Sequence, residues 1–278
     1  KPLRDTAISD PSAPILLLDT GVGGLTVLSE VRKALPDAPL IYAADMAGMP
    51  YGKKTEAEVA ARVAGLLGRM SERYAPRLAC IACNTASTIA LGMVREVLEI
   101  PVVGTVPAIK PAALSSKTGV IGMLGTAGTV RQPYVDRLEA EFVTSGKLLR
   151  YAAPDLVDEA ENKLRGKPVN RGVLKAALEG LTHQSGGMEI DRIVLGCTHF
   201  PLLADELMQV AVNDLGMNAG LEMVDGAAGI ARHIAHLLDG QSYDGARGSL
   251  AVTTGELAPF EQLAPLLDGY GITRIERF

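Results

Sequence analysis

Two cysteines occupy similar settings, Cys83 in Cys83-Asn84-Thr85-Ala86 and Cys197 in Gly196-Cys197-Thr198-His199. Each follows a short apolar run, Leu78 to Ala82 and Ile193 to Leu195, and each leads through small hydroxylated residues into a helix-like pattern. That is the layout of two strand ends. In open α/β sheets, ligands bind outside the carboxyl ends of the strands, so both thiols are expected where chemistry is usually found. Two thiols so placed suit a reaction that needs an acid and a base at once.

Other chemistries compete for the same residues. Cys80 and Cys83 form a C-x-x-C, which reads as a redox pair or half a zinc site. Residues three apart on a strand point to opposite faces, and Cys80 lies within an apolar run, so a buried inert thiol is the better reading. A zinc site from Cys83, Cys197 and His199 lacks an obvious fourth ligand. Cys197 with His199 as a thiol-hydrolase pair lacks a clear set of oxyanion donors. The turn Asp19-Thr20-Gly21-Val22-Gly23-Gly24 resembles a dinucleotide loop, and Asp45 stands where a ribose-binding acid would be. Thr26 occupies the place of the third glycine, however, and Asp19 would set a carboxylate beside the pyrophosphate.

These residues need elements to hold them. Ile15 to Leu18 reads as a buried strand, with a helix over about Leu25 to Leu35, and Leu40 to Ala44 reads as a second strand running into Asp45 and the loop Met49-Pro50-Tyr51-Gly52-Lys53. Thr55-Glu56-Ala57-Glu58 has capping-box spacing and starts a long helix with the stripe Val59, Val63, Leu66, Leu67 and Met70. A helix from about Ser87 to Leu98 follows Cys83, and Val102 and Val103 continue the sheet. A new unit begins near Pro107. Val120 to Leu124 and Gly125-Thr126-Ala127-Gly128-Thr129 repeat the strand and small-residue turn, with later strands at Leu148 to Tyr151, Ile193 to Leu195, Met223-Val224 and Leu250 to Thr253. The second half echoes the first in order.

A chain of 278 residues suggests two domains at about 150 residues each. With 47% hydrophobic residues, 4% aromatic and no Trp, the apolar mass is aliphatic, which suits parallel strands covered by helices. A net charge of -5 without a basic stripe argues against a nucleic-acid partner. No apolar stretch is long enough to span a membrane. Lys1 to Pro14 is polar, lacks the apolar centre of a secretory signal, and is expected to be a loose lead-in. Three cysteines without an export signal predict a reduced, cytoplasmic protein.

Taken together, Leu18 to Gly24, Pro50-Tyr51-Gly52, Cys83 to Ala86, Gly125 to Thr129 and Gly196-Cys197-Thr198-His199-Phe200-Pro201-Leu202-Leu203 resemble the glutamate racemases of the aspartate/glutamate racemase family, in order and over nearly the whole chain. The resemblance implies two pseudo-symmetric α/β domains, 1–106 plus 217–278 and 107–216, with the active site in the cleft between them. It implies no cofactor and no metal. Cys83 and Cys197 become the proton donor/acceptors, with Asp19 and His199 as their helpers, and Thr20, Pro50, Tyr51, Gly52, Asn84, Thr85, Thr126, Thr129 and Thr198 join Asp19 and His199 around a small-molecule substrate. Thr126 or Thr129 could equally do no more than shape its turn. Thr20 stands where the family usually has Ser; the hydroxyl is kept but χ1 is stiffer. Aspartate racemases of the wider family tend to carry Glu after the second Cys-Thr, so His199 favours L- and D-glutamate over aspartate or another amino acid. The implied role is the supply of D-glutamate for bacterial peptidoglycan. Family members commonly dimerise, which leaves a homodimer open. A nicotinamide-dependent oxidoreductase and a non-catalytic amino-acid-binding protein remain the alternatives.

Overall fold

The computed structural model describes residues 10–245 and 248–278, so the first nine residues of the expected lead-in lie outside the described residues. Ten parallel strands are present among them: β1 (Ile15–Asp19), β2 (Leu40–Ala44), β3 (Leu78–Ile81), β4 (Val102–Gly104), β5 (Val120–Gly125), β6 (Lys147–Ala152), β7 (Arg192–Leu195), β8 (Glu222–Val224), β9 (Leu250–Thr253) and β10 (Arg274–Arg277). They form one sheet in the order β10-β9-β2-β1-β3-β4 and another in the order β6-β5-β7-β8. The fold is α/β, as the aliphatic strands predict.

The chain divides into two compact units, residues 1–105 with 227–278, and 106–226. The expectation that 217–278 returns to the first unit needs correction. β8 pairs in register with β7, Arg192 beside Glu222 and Val194 beside Val224, so the return comes at Ala227. The helix start expected at Ser87 also moves. Cys83 is extended (φ -81, ψ 124) and serves as N-cap, which places Asn84 and Thr85 in the first turn of the helix Asn84–Val97.

In the first unit, β1, β2 and β3 are buried along their whole length, as strands covered on both faces must be. Leu16, Leu18, Ile41, Ala43, Ala79 and Ile81 pack with Val59, Val63, Leu66, Leu67 and Met70 of the helix Glu56–Tyr74 and with Ala86, Ala90 and Val94 of the helix Asn84–Val97. The capping box is formed: Glu58 N–H donates to Thr55 Oγ1 (3.2 Å) and Thr55 N–H to Glu58 Oε2 (2.8 Å). Asp10 to Ala13 is not loose. The buried Arg77 donates to the carbonyl oxygens of Asp10, Pro11 and Ala13, and to Gln241 Oε1 and Ser242 O of the returning segment.

In the second unit the two faces of the sheet have separate cores. Val120, Leu124, Ile193 and Leu195 pack with the helices Leu156–Leu164 and Arg171–Thr182. Ile121, Met123 and Val194 pack with the helices Ile109–Ser115 and Pro133–Phe142. The internal echo is topological. β2-β1-β3-β4 and β6-β5-β7-β8 have the same connectivity, the first strand of each set lying between the second and the third. Among the described residues no helix is long and apolar enough to cross a membrane.

Candidate active site

Cys83 follows β3, Cys197 follows β7 through Gly196, and each of these strands is third in its set and pairs with the first. In such a sheet, the connections that leave the first and the third strand run over opposite faces, which opens a crevice between their ends. Each thiol therefore stands at the switch point of its own sheet. Cys83 is 7% exposed and Cys197 9% exposed, and neither is in a disulfide.

Around Cys83, the strand ends are tied by Asp45 N–H to Asp19 O (2.8 Å), Ala82 N–H to Leu18 O (2.8 Å) and Thr105 N–H to Ile81 O (3.1 Å). Ser87 Oγ donates to Ile81 O (2.9 Å) and accepts from Thr105 N–H (2.9 Å), while Thr105 Oγ1 donates to Ala82 O (3.2 Å). Two buried hydroxyls thus fix the backbone on either side of the thiol. The partial positive charge at the N-terminus of the Asn84–Val97 helix favours an anion at its N-cap. Cys80, wholly buried in β3, is pushed up to about 12 by burial and by Asp19, so it stays an inert thiol at neutral pH, as its strand position predicts.

Asp19 ends β1, and its Oδ2 accepts from Gly24 N–H (2.7 Å) at the start of the helix Leu25–Ala34, with Tyr42 Oη near the same oxygen (3.4 Å). A Cβ on Gly24 would lie 2.9 Å from Asp19 Cβ, so glycine is required for this approach. The protein's own carboxylate fills the place a pyrophosphate would take. Asp45 is equally committed: Arg62 donates from Nε to Oδ2 (2.5 Å) and from Nη2 to Oδ1 (2.6 Å), Tyr51 Oη donates to Oδ2 (2.5 Å), and Thr254 Oγ1 donates to Oδ1 (2.5 Å). Burial works to raise the Asp45 pKa, but the bonds from Arg62, Thr254 and Tyr51 outweigh it and hold the carboxyl below its ordinary value. Neither acid is placed to bind a dinucleotide, which removes the basis of the nicotinamide alternative.

Near Cys197, Thr198 and His199 are buried, and Phe200 N–H donates to Cys197 O (3.1 Å) to begin the 3-10 turn Phe200–Leu203. A Cβ on Gly196 would lie 3.0 Å from Leu124 O, tighter than an ordinary contact, so glycine suits the close approach just before the cysteine. His199 Nε2 lies 3.0 Å from Glu161 Oε1 on the helix Leu156–Leu164. Burial works to raise the Glu161 pKa, while the bond and charge of His199 and the nearby Arg165 hold it below its ordinary value. Thr126 Oγ1 accepts from Thr129 N–H (3.3 Å) and pairs with Thr129 Oγ1 (3.1 Å), capping the short helix Ala127–Val130. These contacts accord with the turn-shaping reading.

Asp19, Thr20, Tyr51, Asn84 and Thr85 are buried in the first unit with Cys83, while Pro50 and Gly52 are exposed on their loop. Thr126, Thr129, Thr198 and His199 lie in the second unit with Cys197. Sequence reasoning missed Glu161, Arg62, Thr105 and Thr254. Arg62 and Glu161 each carry a weak signal, a charge beside a buried helical stripe.

Comparison with known proteins identifies the family and the fold. The model of the Asp/Glu/Hydantoin racemase family matches residues 26–234. A glutamate racemase of Sphingopyxis alaskensis is 55% identical over 268 residues, covering 96% of this chain and 97% of that protein. The crystal structure of Escherichia coli glutamate racemase in complex with L-glutamate and the activator UDP-MurNAc-Ala is 41% identical, with a TM-score of 0.86 over 96% of this chain and 98% of that one. The glutamate racemase of Thermus thermophilus in complex with beta-chloro-D-alanine is 30% identical, with a TM-score of 0.75 over 97% of this chain and 98% of that one.

Proposed function

Because the chain belongs to the Asp/Glu/Hydantoin racemase family and is an amino-acid racemase, we propose that it interconverts L- and D-glutamate without a cofactor, using Cys83 and Cys197 as the two bases. The observation that carries this reading is the equivalence of the two thiols, each just past the third strand of a four-strand set with the same connectivity. A symmetric reaction at one carbon calls for two like groups acting from opposite faces. In each direction, one cysteine as thiolate takes the α-proton and becomes a thiol, while the other as thiol delivers its proton to the opposite face and becomes a thiolate. The reverse reaction exchanges the roles.

The carbanion has no pyridoxal electron sink, so preorganised donors and the substrate's own ammonium group supply the stabilisation. Asp19 beside Cys83 and His199 beside Cys197 assist their cysteines, and Glu161 orients the His199 ring. Thr20, Asn84, Thr85 and Thr198 hold the ammonium and carboxylates together with the backbone of Pro50-Tyr51-Gly52, and the Thr126 turn lies at the margin. The relatives' names support glutamate as the substrate. In a bacterial cytoplasm the product would feed peptidoglycan assembly. The test is a chiral assay of the purified, metal-free protein with L-glutamate and separately with L-aspartate. D-glutamate formed without added cofactor supports the reading, and aspartate turnover in its place would reassign the substrate.

A further inference from the structure

The loop 46–53 is held from three directions, and all the grips converge on one carboxylate. Asp45 is fully buried at the end of β2. Arg62 reaches it from the helix Glu56–Tyr74 with a two-pronged contact, Thr254 reaches it from the end of β9, and Tyr51 reaches it from the loop itself. Thr254 Oγ1 also accepts from Ala47 N–H (3.2 Å), and Gly48 N–H donates to Asp45 O (3.0 Å). The fit leaves no slack, since a Cβ on Gly48 would lie 2.2 Å from Asp45 Oδ2 and 2.4 Å from Arg62 Nε. The hydroxyl of Tyr51, 3% exposed, is spent on Asp45, so what this residue can offer a ligand is its backbone. Tyr51 and Cys83 belong to the same packed cluster, which sets the loop beside the thiol.

We propose that Arg62 is a positioning residue for the substrate: by gripping the Asp45 carboxylate with both prongs it holds in place the acceptor that fixes Tyr51, and thereby the backbone of Tyr51 and Gly52. The inference rests on the reading that this loop binds glutamate. Arg62 is a third exposed along its side chain and meets Tyr51 both through the Asp45 carboxylate they share and by a side-chain contact of its own. Its removal strands a buried charge, which the loop relieves by opening to water. Lysine keeps the charge but not the planar fork.

The experiment measures KM and kcat for L-glutamate in Arg62→Met, Arg62→Lys and the double variant Asp45→Asn with Arg62→Met. Arg62→Met is expected to raise KM at least about tenfold with kcat changed less than about threefold, because the loss falls on binding. Arg62→Lys is expected to fall between Arg62→Met and the unaltered protein. The double variant, in which a neutral amide needs no cation and still accepts from Tyr51, is expected to recover most of the KM. If Arg62→Met does not fold, the double variant and Arg62→Lys carry the same test. An unchanged KM, or equal loss in all three variants, overturns the inference. Failure of the glutamate reading would look different: the unaltered protein would form no D-glutamate.

Discussion

In the proposed reaction Cys83 and Cys197 do opposite things to one carbon, Cys83 with Asp19 and Cys197 with His199 as its helper. Replacing either cysteine by Ser is expected to lower racemisation by about 10²-fold or more, the size of a lost general acid or base. Calorimetric titration should still detect L-glutamate binding, and normal turnover of the Cys197→Ser protein would refute the two-base scheme. At the second helper, the Glu161 carboxyl sits below its ordinary value. A depressed acid stabilises the fold above its unfolded pKa of about 4.3 and loses that contribution as pH falls through the folded value. Urea midpoints measured from pH 6 to pH 3 should therefore fall less steeply in Glu161→Gln than in the unaltered protein. The cysteines and the small residues beside them were legible because each motif is local. Glu161 and Arg62 were not, since the contact of Glu161 with His199, or of Arg62 with Asp45, exists only once a helix has packed beside a strand end.

The helix Glu56–Tyr74 shows how elements carry these positions. Its capping box and its apolar stripe were both readable from Thr55 onward, because each depends on spacing within a few residues. Ala75 closes the helix in the left-handed conformation (φ 44, ψ 57), where an L side chain is strained and glycine is preferred. Ala75→Gly is expected to stabilise the protein by up to about 1 kcal/mol, read as a raised thermal midpoint. A lowered midpoint would mean that the exposed Cβ packs in a way the helix end does not suggest. The short strand β10 marks the limit of element reading: four residues without strong alternation declare themselves only through their partner, β9.

For the whole molecule, the sequence order of strands announced two similar halves, and the shared 2-1-3-4 connectivity of the two sheets gives that echo its physical form. The crossing back to the first unit comes later than the resemblance implies, because the pairing of Met223 and Val224 with β7 assigns them to the second sheet. Both cores of the second unit draw their buried residues from within 106–226 alone. That segment expressed by itself is expected to unfold cooperatively in urea and to show no racemisation, because it holds Cys197 without Cys83. The most direct test of the central claim is to follow L-glutamate with the purified protein in deuterated water at early conversion, by proton NMR of the separated enantiomers. Two bases on opposite faces predict deuterium at the α-carbon of the D-glutamate formed, with the remaining L-glutamate still protonated. Deuterium appearing equally in both enantiomers from the start, or no D-glutamate at all, would contradict it.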